Sequence, residues 1–240
     1  MFFAAKKFSV TFAAASRIGK RERNEDSVIS LVKDDRYCFV VADGLGGHGL
    51  GDLASKTLTY VFSREFDRCT NMKSNRIFLS HAFDCAQEEI LALQAARGIK
   101  KYQAKTTAVA LSIFNGKYAW GHVGDSRLYR FNRDILISRT FDHSVPQILA
   151  LSNEISEDEI STHPDRSLLL HAFGDEWDEP KYEISKETSL KRGNSFFLCT
   201  DGVWEYAKIK PPHNMEITPD VWLSVIMSET RNRRTGKRFR

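Results

Sequence analysis

Residues 40–55 read VVADGLGGHGLGDLAS, an apolar run that closes on Asp43, passes through five glycines and enters a helix-like pattern near Asp52. Two readings compete. Gly44 to Gly49 satisfies G-x-G-x-x-G between a strand and a helix, the spacing whose backbone N–H groups cradle a dinucleotide's phosphates. Alternatively, an Asp at a strand end beside Gly projects its carboxylate from a rigid edge, and the glycine carbonyl approaches a cation closely. The choice decides the fold, because only the first reading needs a parallel βαβ unit.

A dinucleotide site requires a second parallel strand, with a ribose-binding acid about 20 residues further on. That place falls near Glu65, inside residues 52–66, where Leu53, Leu58, Val61, Phe62 and Phe66 recur at helical spacing. A second helical pattern follows over residues 75–96, with Leu79, Phe83, Ala86, Ile90 and Leu93 on one face. Helix after helix is incompatible with βαβ, so the dinucleotide reading fails.

Strands lie on both sides of this helical pair. Upstream, Phe8, Val10 and Phe12 alternate with polar residues and predict a strand over 8–13, followed by strands over 28–32 and 37–42. Downstream, TTAVALSIFNGKYAWGHVGDSRLYRF (106–131) is a hairpin by its own chemistry, because Asn115-Gly116 favours a type I′ turn between alternating runs. A short turn at 132–134 leads into residues 135–137, residues 145–170 read as irregular or helical, and SFFLCT (195–200) reads as a buried strand running into Asp201-Gly202. Strands in runs and helices in runs predict an α+β class, with helices covering antiparallel sheets in a single domain spanning 1–240.

The bulk properties narrow the function. The 240-residue chain is 42% hydrophobic and 11% aromatic, ordinary for a globular protein. Lys6 and Lys7 ahead of FSVTFAAAS resemble a short signal peptide, but the alternation favours a strand, and no apolar run is long enough to span a bilayer. Cys38, Cys69, Cys85 and Cys199 are far apart and form no C-x-x-C pair, so neither a zinc site nor a disulfide framework is expected; a reducing cytoplasm is the expected compartment. Net charge is +4, yet six basic residues lie in the tail 231–240, and the rest of the chain is slightly acidic. No aromatic platform accompanies that tail, so it reads as a solvated terminus, and no nucleic-acid or membrane partner is expected.

The chemistry rests on scattered carboxylates. Asn24-Glu25-Asp26 precedes one strand, Asp43-Gly44 and Asp201-Gly202 end two others, and Asp125 sits in GHVGDSR. Converging, these groups make an all-oxygen site of the kind hard divalent ions such as Mg²⁺ and Mn²⁺ prefer. Two such ions about 4 Å apart lower the pKa of a water and orient it for in-line attack on phosphorus, with no nucleophilic side chain needed. Taken singly, each Asp-Gly is more often a turn former.

In order, RERNEDS (21–27), VVADGLGGHGLGDLAS, KTTAVAL (105–111), WGHVGDSRLYRF (120–131), FDHSVPQ (141–147), HPDRSLLLHAFG (163–174) and FFLCTDGVWE (196–205) resemble the metal-dependent protein phosphatases of type 2C, in their compact bacterial form. The resemblance implies a four-layer α/β/β/α sandwich with a binuclear Mg²⁺ or Mn²⁺ centre between the sheets, and hydrolysis of phosphoserine or phosphothreonine in a protein, the product of a Ser/Thr kinase. It places Asp43 as the bridge between ions, the Gly44 carbonyl and Asp201 as ligands, and Glu25 and Asp26 as direct or water-mediated ones. Asp125 matches a third, weaker metal position, and Arg21 a phosphate-gripping arginine, suited by its planar bidentate fork.

The departures are as informative. Lys105 stands where the family has Gly, and His122 where it has Asn. Leu45 stands where eukaryotic members place a histidine proposed as general acid. Leaving-group protonation then falls to water, a third metal's water or another residue, His48 being one candidate and equally readable as a loop or helix-entry residue. The family's closing Asp-Asn pair and the strand it introduces are not found before residue 240, and His213-Asn214 and Asp220 come too early to replace them. The expectation is a type 2C domain lacking its last metal-binding Asp and last strand, monomeric, and either a phosphatase or a member that binds phosphoprotein or metal without efficient turnover.

Overall fold

The computed structural model describes residues 8–19, 21–46, 50–100, 102–212 and 217–234. His48, His213, Asn214 and residues 235–240 of the basic tail lie outside these, so the expectations placed on them stand apart from the structure.

Strands β1 (Asp26–Lys33) and β2 (Arg36–Leu45) form an antiparallel hairpin in which Asp26 faces Asp43. Helices α1 (Leu50–Arg68) and α2 (Asn75–Ala96) follow, α2 starting where the Ser74 hydroxyl accepts the Arg76 N–H. The short β3 (Lys105–Thr106) pairs with the end of β2, and β4 (Ala108–Phe114) and β5 (Lys117–Val123) form the second hairpin. Its turn has φ of 51° at Asn115 and 67° at Gly116, the left-handed pair that a type I′ turn requires. With two-residue β8 (Glu183–Ile184) and β9 (Thr188–Ser189) added to β5, these strands make a seven-stranded sheet in the order β1-β2-β4-β5-β8.

A second sheet, ordered β10-β6-β7, contains β6 (Arg127–Asn132), β7 (Ile135–Arg139) and β10 (Asn194–Cys199). Between β7 and β8 run α3 (Val145–Leu151), capped by Ser144, and a 3-10 helix (Glu157–Thr162). After β10 come α4 (Asp201–Trp204) and α5 (Pro219–Arg234).

Three apolar layers account for the stacking. Phe62, Phe66, Leu79 and Phe83 from α1 and α2 bury Val40 and Ala42 on one face of the large sheet. Val41, Leu111, Ile113 and Leu128 fill the space between the sheets. Trp204, Trp222 and Ile226 cover Phe131 and Phe197 on the far face of the small sheet. Helix, sheet, sheet, helix is therefore the order, as the α+β reading expects.

Several local expectations change. Residues 8–13 form no strand. Phe12 packs its ring 5.1 Å from that of Phe39 and stays 45% exposed, so the alternation reflects one face lying on the sheet, which an unpaired extended segment satisfies as well as a strand does. β2 runs through Asp43 and Gly44 instead of ending before them, because β3 extends the ladder to Leu45. β10 is half-buried; among the described residues its outer edge carries no strand, and a cavity of about 1810 Å³ opens between it, β1, α5 and residues 8–19. The basic stretch from Arg231 to Arg234 is the end of α5, whose apolar face holds Trp222 and Ile226 against the small sheet.

Candidate metal centre

The β1–β2 hairpin assembles half of the predicted set. Its register sets Asp26 beside Asp43, while the Gly44 N–H donates to the Glu25 carbonyl at 3.1 Å. The same carbonyl accepts the Ser55 hydroxyl at 2.6 Å, which ties the first turns of α1 to the start of β1. The glycines of the opening stretch permit this approach. A Cβ on Gly44 would lie 2.3 Å from backbone atoms of Gly51, and one on Gly51 would lie 2.6 Å from the Gly44 carbonyl carbon. Gly44 and Gly51 are thus required for a helix entry pressed against a strand, and a phosphate cradle is not needed to explain them.

The Asp43 main chain is pinned as well. Its carbonyl accepts the Thr107 N–H and the Thr106 hydroxyl, both at 2.9 Å. That leaves its carboxylate as the group that faces the centre.

Asp201 and Asp125 arrive from the other sheet. Asp201 is the first residue of α4, directly after β10, and the preceding Thr200 hydroxyl donates to Asp26 Oδ2 at 3.4 Å. Asp125 lies on the β5–β6 connection, 7% exposed, with its carbonyl accepting the Trp204 indole N–H at 2.9 Å. Arg127 holds this connection from behind: two of its nitrogens donate to the Asp142 carboxylate at 2.8 and 2.6 Å, and its guanidinium carbon sits 3.5 Å from the centroid of Trp204.

The electrostatics show the carboxylates converging. Burial raises the Asp43 carboxyl well above the usual carboxylate range, and Asp201, Asp26 and Asp125 raise it further, Asp201 also by a direct hydrogen bond. Asp125 is raised by burial, then by Asp201 and Asp142, with Arg127 opposing. Burial likewise raises Glu25, against the lowering charge of the exposed Arg21 nearby. Like charges gathered in a desolvated place disfavour ionisation, and a cation is the chemistry that relieves them. Asp43, Asp201, Asp26 and Asp125 are brought together, Glu25 and Gly44 border them, Arg21 lies on the Glu25 side, and His48 is outside the described residues.

Thr106, Thr107, Thr200, Arg127, Asp142 and Trp204 have structural roles here that sequence reading did not single out. The paired threonines and the charged residues flanking strand ends carried a signal, but not the contact that gives each its role.

These raised carboxyls set a pH dependence. A group whose folded pKa lies above its unfolded value contributes stability that is present below the unfolded value, near 4, and lost as pH rises through the folded one. With a chelator present, Asp43→Asn is expected to match wild type near pH 4 and exceed it in urea midpoint at pH 8. Equal midpoints at pH 8 would mean that Asp43 is not under strain.

Against this geometry, the model of the Protein phosphatase 2C family matches residues 14–225. The chain belongs to the protein phosphatase 2C family. Among curated relatives, this 2C-type chain is 30% identical over 188 residues to the serine/threonine phosphatase stp of Listeria innocua, covering 76% of this chain and 73% of that protein. Among solved structures, that of the Mycobacterium tuberculosis serine/threonine phosphatase PstP/Ppp superposes with a TM-score of 0.73 at 23% identity, covering 89% and 88% of the two chains. The catalytic domain of PstP in complex with two manganese ions gives a TM-score of 0.70 at 21% identity, over 89% and 87%. The two antiparallel sheets and flanking helices of the 2C chain are thus the family's architecture, and its members are metal-dependent.

Proposed function

We propose that the chain is a metal-dependent protein phosphatase hydrolysing phosphoserine and phosphothreonine, with Asp43, Asp201, Asp26 and Asp125 as the carboxylates that hold its ions. The observation that carries the reading is the convergence of these four groups from both sheets, with Asp201, Asp26 and Asp125 all acting against a charge on the buried Asp43. Mg²⁺ or Mn²⁺ fits this donor set, being hard and oxygen-seeking.

When bound, such ions supply an activated water and neutralise phosphoryl oxygens. The chain's own residues do the rest. Asp43, pinned through its carbonyl to Thr106 and Thr107, presents a carboxylate between the two sheets. Asp201, at the start of α4, meets it from the opposite side, and the Thr200 hydroxyl orients Asp26. Gly44 offers its carbonyl next to Asp43, with Glu25 behind. Arg21, exposed and acting on Glu25, is the residue that would grip an incoming phosphate by two parallel N–H donors. Asp125 serves a third, outlying position, braced by Arg127 and Trp204. The substrate is a phosphorylated protein, and the cytoplasm is the compartment where such a protein and its kinase meet.

The test is release of phosphate from a phosphothreonine peptide by purified protein with 2 mM-scale Mn²⁺ or Mg²⁺ against a chelator, an order-of-magnitude choice well above micromolar to millimolar site affinities. Turnover with either ion, abolished by the chelator, supports the reading. Turnover unchanged by the chelator removes the metal from the mechanism. Saturable metal binding without turnover identifies the alternative, a member that binds without efficient hydrolysis.

A further inference from the structure

Away from the carboxylate centre, three residues far apart in sequence meet at the other side of β5. His122, on β5, faces Glu183 of β8 in the sheet register, and the His143 ring lies 4.6 Å from that of His122. One donor atom from each of His122, His143 and Glu183 falls within 4.8 Å of the others. His171 adds a third imidazole, its ring 5.6 Å from that of His143.

The hydrogen bonds decide what His122 has to offer. Its Nε2 lies 2.8 Å from the Phe141 carbonyl, which can only accept, so Nε2 carries the proton and Nδ1 is a bare lone pair. That Nδ1 is buried without a hydrogen-bond partner, on a side chain 2% exposed. A buried acceptor left unpaired costs free energy. An imidazole that donates one nitrogen to a backbone carbonyl is held in one tautomer and orientation, and its other nitrogen is left as a lone pair able to ligate a metal. Desolvation, with the neighbouring His143, lowers the His122 pKa to about 4, so the ring is neutral at physiological pH and ready to ligate.

We propose that His122, His143 and Glu183 form a second, separate cation site, one that takes a borderline transition-metal ion such as Zn²⁺. Two imidazoles and a carboxylate suit that class, whereas the four-carboxylate centre suits hard ions. Tetrahedral ligation at 2.0–2.2 Å needs donors about 3.3–3.6 Å apart, tighter than the 4.8 Å within which these three lie. Glu183, whose side chain is 69% exposed and whose carboxylate lies 3.6 Å from His143 Nε2, is free to close that distance. Ligation through His143 Nε2 moves the ring proton to Nδ1 and gives up the long 3.3 Å bond from the Gly124 N–H. The exposure of Glu183 leaves a coordination position open to water.

Sequence reading expected no zinc site because no histidines cluster along the chain; β5, β8 and the segment before α3 bring them together only on folding. A second cluster, Glu65, His81 and Cys85, also offers three donor types. It is a poorer cation site, since Arg64 and Arg68 already engage Glu65 at 2.8 and 3.3 Å and repel an added charge.

Co²⁺ replaces Zn²⁺ with a visible spectrum, and excess Mg²⁺ keeps it from the carboxylate centre. The full chain is expected to bind one equivalent of Co²⁺ under Mg²⁺ with the intense absorption of a tetrahedral ion, displaced by Zn²⁺. His122→Asn and Glu183→Gln are each expected to weaken this binding by at least about 10-fold, and His81→Ala to leave it unchanged. Glu183 is exposed, so Glu183→Gln keeps the test intact if His122→Asn fails to fold. Absence of tetrahedral absorption, its persistence at full affinity in Glu183→Gln, or its loss in His81→Ala would each overturn the proposal.

Discussion

Asp43→Asn is expected to lower metal-dependent phosphopeptide hydrolysis on the order of 10³-fold, and Asp201→Asn comparably, with both proteins folded. The substitution is nearly isosteric and leaves the Asp43 carbonyl bonds to Thr106 and Thr107 untouched, so the backbone has no reason to move. What changes is charge at the most crowded point of the centre, where burial and three other carboxylates act on Asp43. In the proposed centre, removing one anion from a shared ligand set weakens the hold on the cations, which would supply the neutralisation that the transition state needs. A loss of that size corresponds to about 4 kcal/mol of transition-state stabilisation. Glu25→Gln should cost less, because Glu25 borders the cluster and its charge is already balanced in part by Arg21. Kinetics across a Mn²⁺ titration provide the measurement. If Asp43→Asn recovers wild-type kcat at moderate Mn²⁺, Asp43 is not a shared ligand and the arrangement proposed for the centre is wrong.

Arg127→Ala is expected to be the most destabilising single change behind the centre, by about 3–5 kcal/mol. Arg127 is 7% exposed, its bidentate partner Asp142 is 5% exposed, and Trp204 stacks over the guanidinium. Truncation leaves the Asp142 carboxylate buried with Arg139 no nearer than 3.9 Å, and removes the surface on which Trp204 rests. The thermal midpoint should fall on the order of 10 °C. The double variant Arg127→Ala/Asp142→Ala should recover part of that loss, because the unpaired charge is gone while the lost packing is not. A fall of less than about 1 kcal/mol in the single variant would show that water reaches Asp142, and that the ion pair does not brace the Asp125 connection.

Much of this was legible along the chain. The type I′ turn at Asn115-Gly116 is a local event, set by two residues that tolerate positive φ, and the structure has it where the dipeptide stands. The helices α1 and α2 follow from period alone, since their apolar stripes have one sheet face to cover. The strand expected over 8–13 is different. Phe8 and Phe12 encode which side of the segment is covered, and nothing in that pattern encodes whether a neighbouring strand supplies a ladder. α5 went unread for the opposite reason: its apolar residues run into the basic tail that begins at Arg231, and only the face of the small sheet shows what Trp222 and Ile226 are for.

The sequence by itself determined the class of the fold, the helical pair that excludes a dinucleotide site, and a set of acidic residues at strand ends. These are consequences of period, turn chemistry and residue type, all read within a window of a few residues. Tertiary structure alone decided which carboxylates share one space, because the register of β1 on β2 and the stacking of two sheets bring Asp26, Asp43, Asp125 and Asp201 from four places in the chain. It decided as well that Gly44 and Gly51 serve a helix pressed onto a strand. His122 shows the same division: on the chain it is one substitution in a motif, and in the fold its Nδ1 is buried without a partner while its ring lies beside His143 and Glu183. The strength of a charge or a lone pair depends on what surrounds it in a desolvated interior, and that surrounding exists only once the sheets have closed.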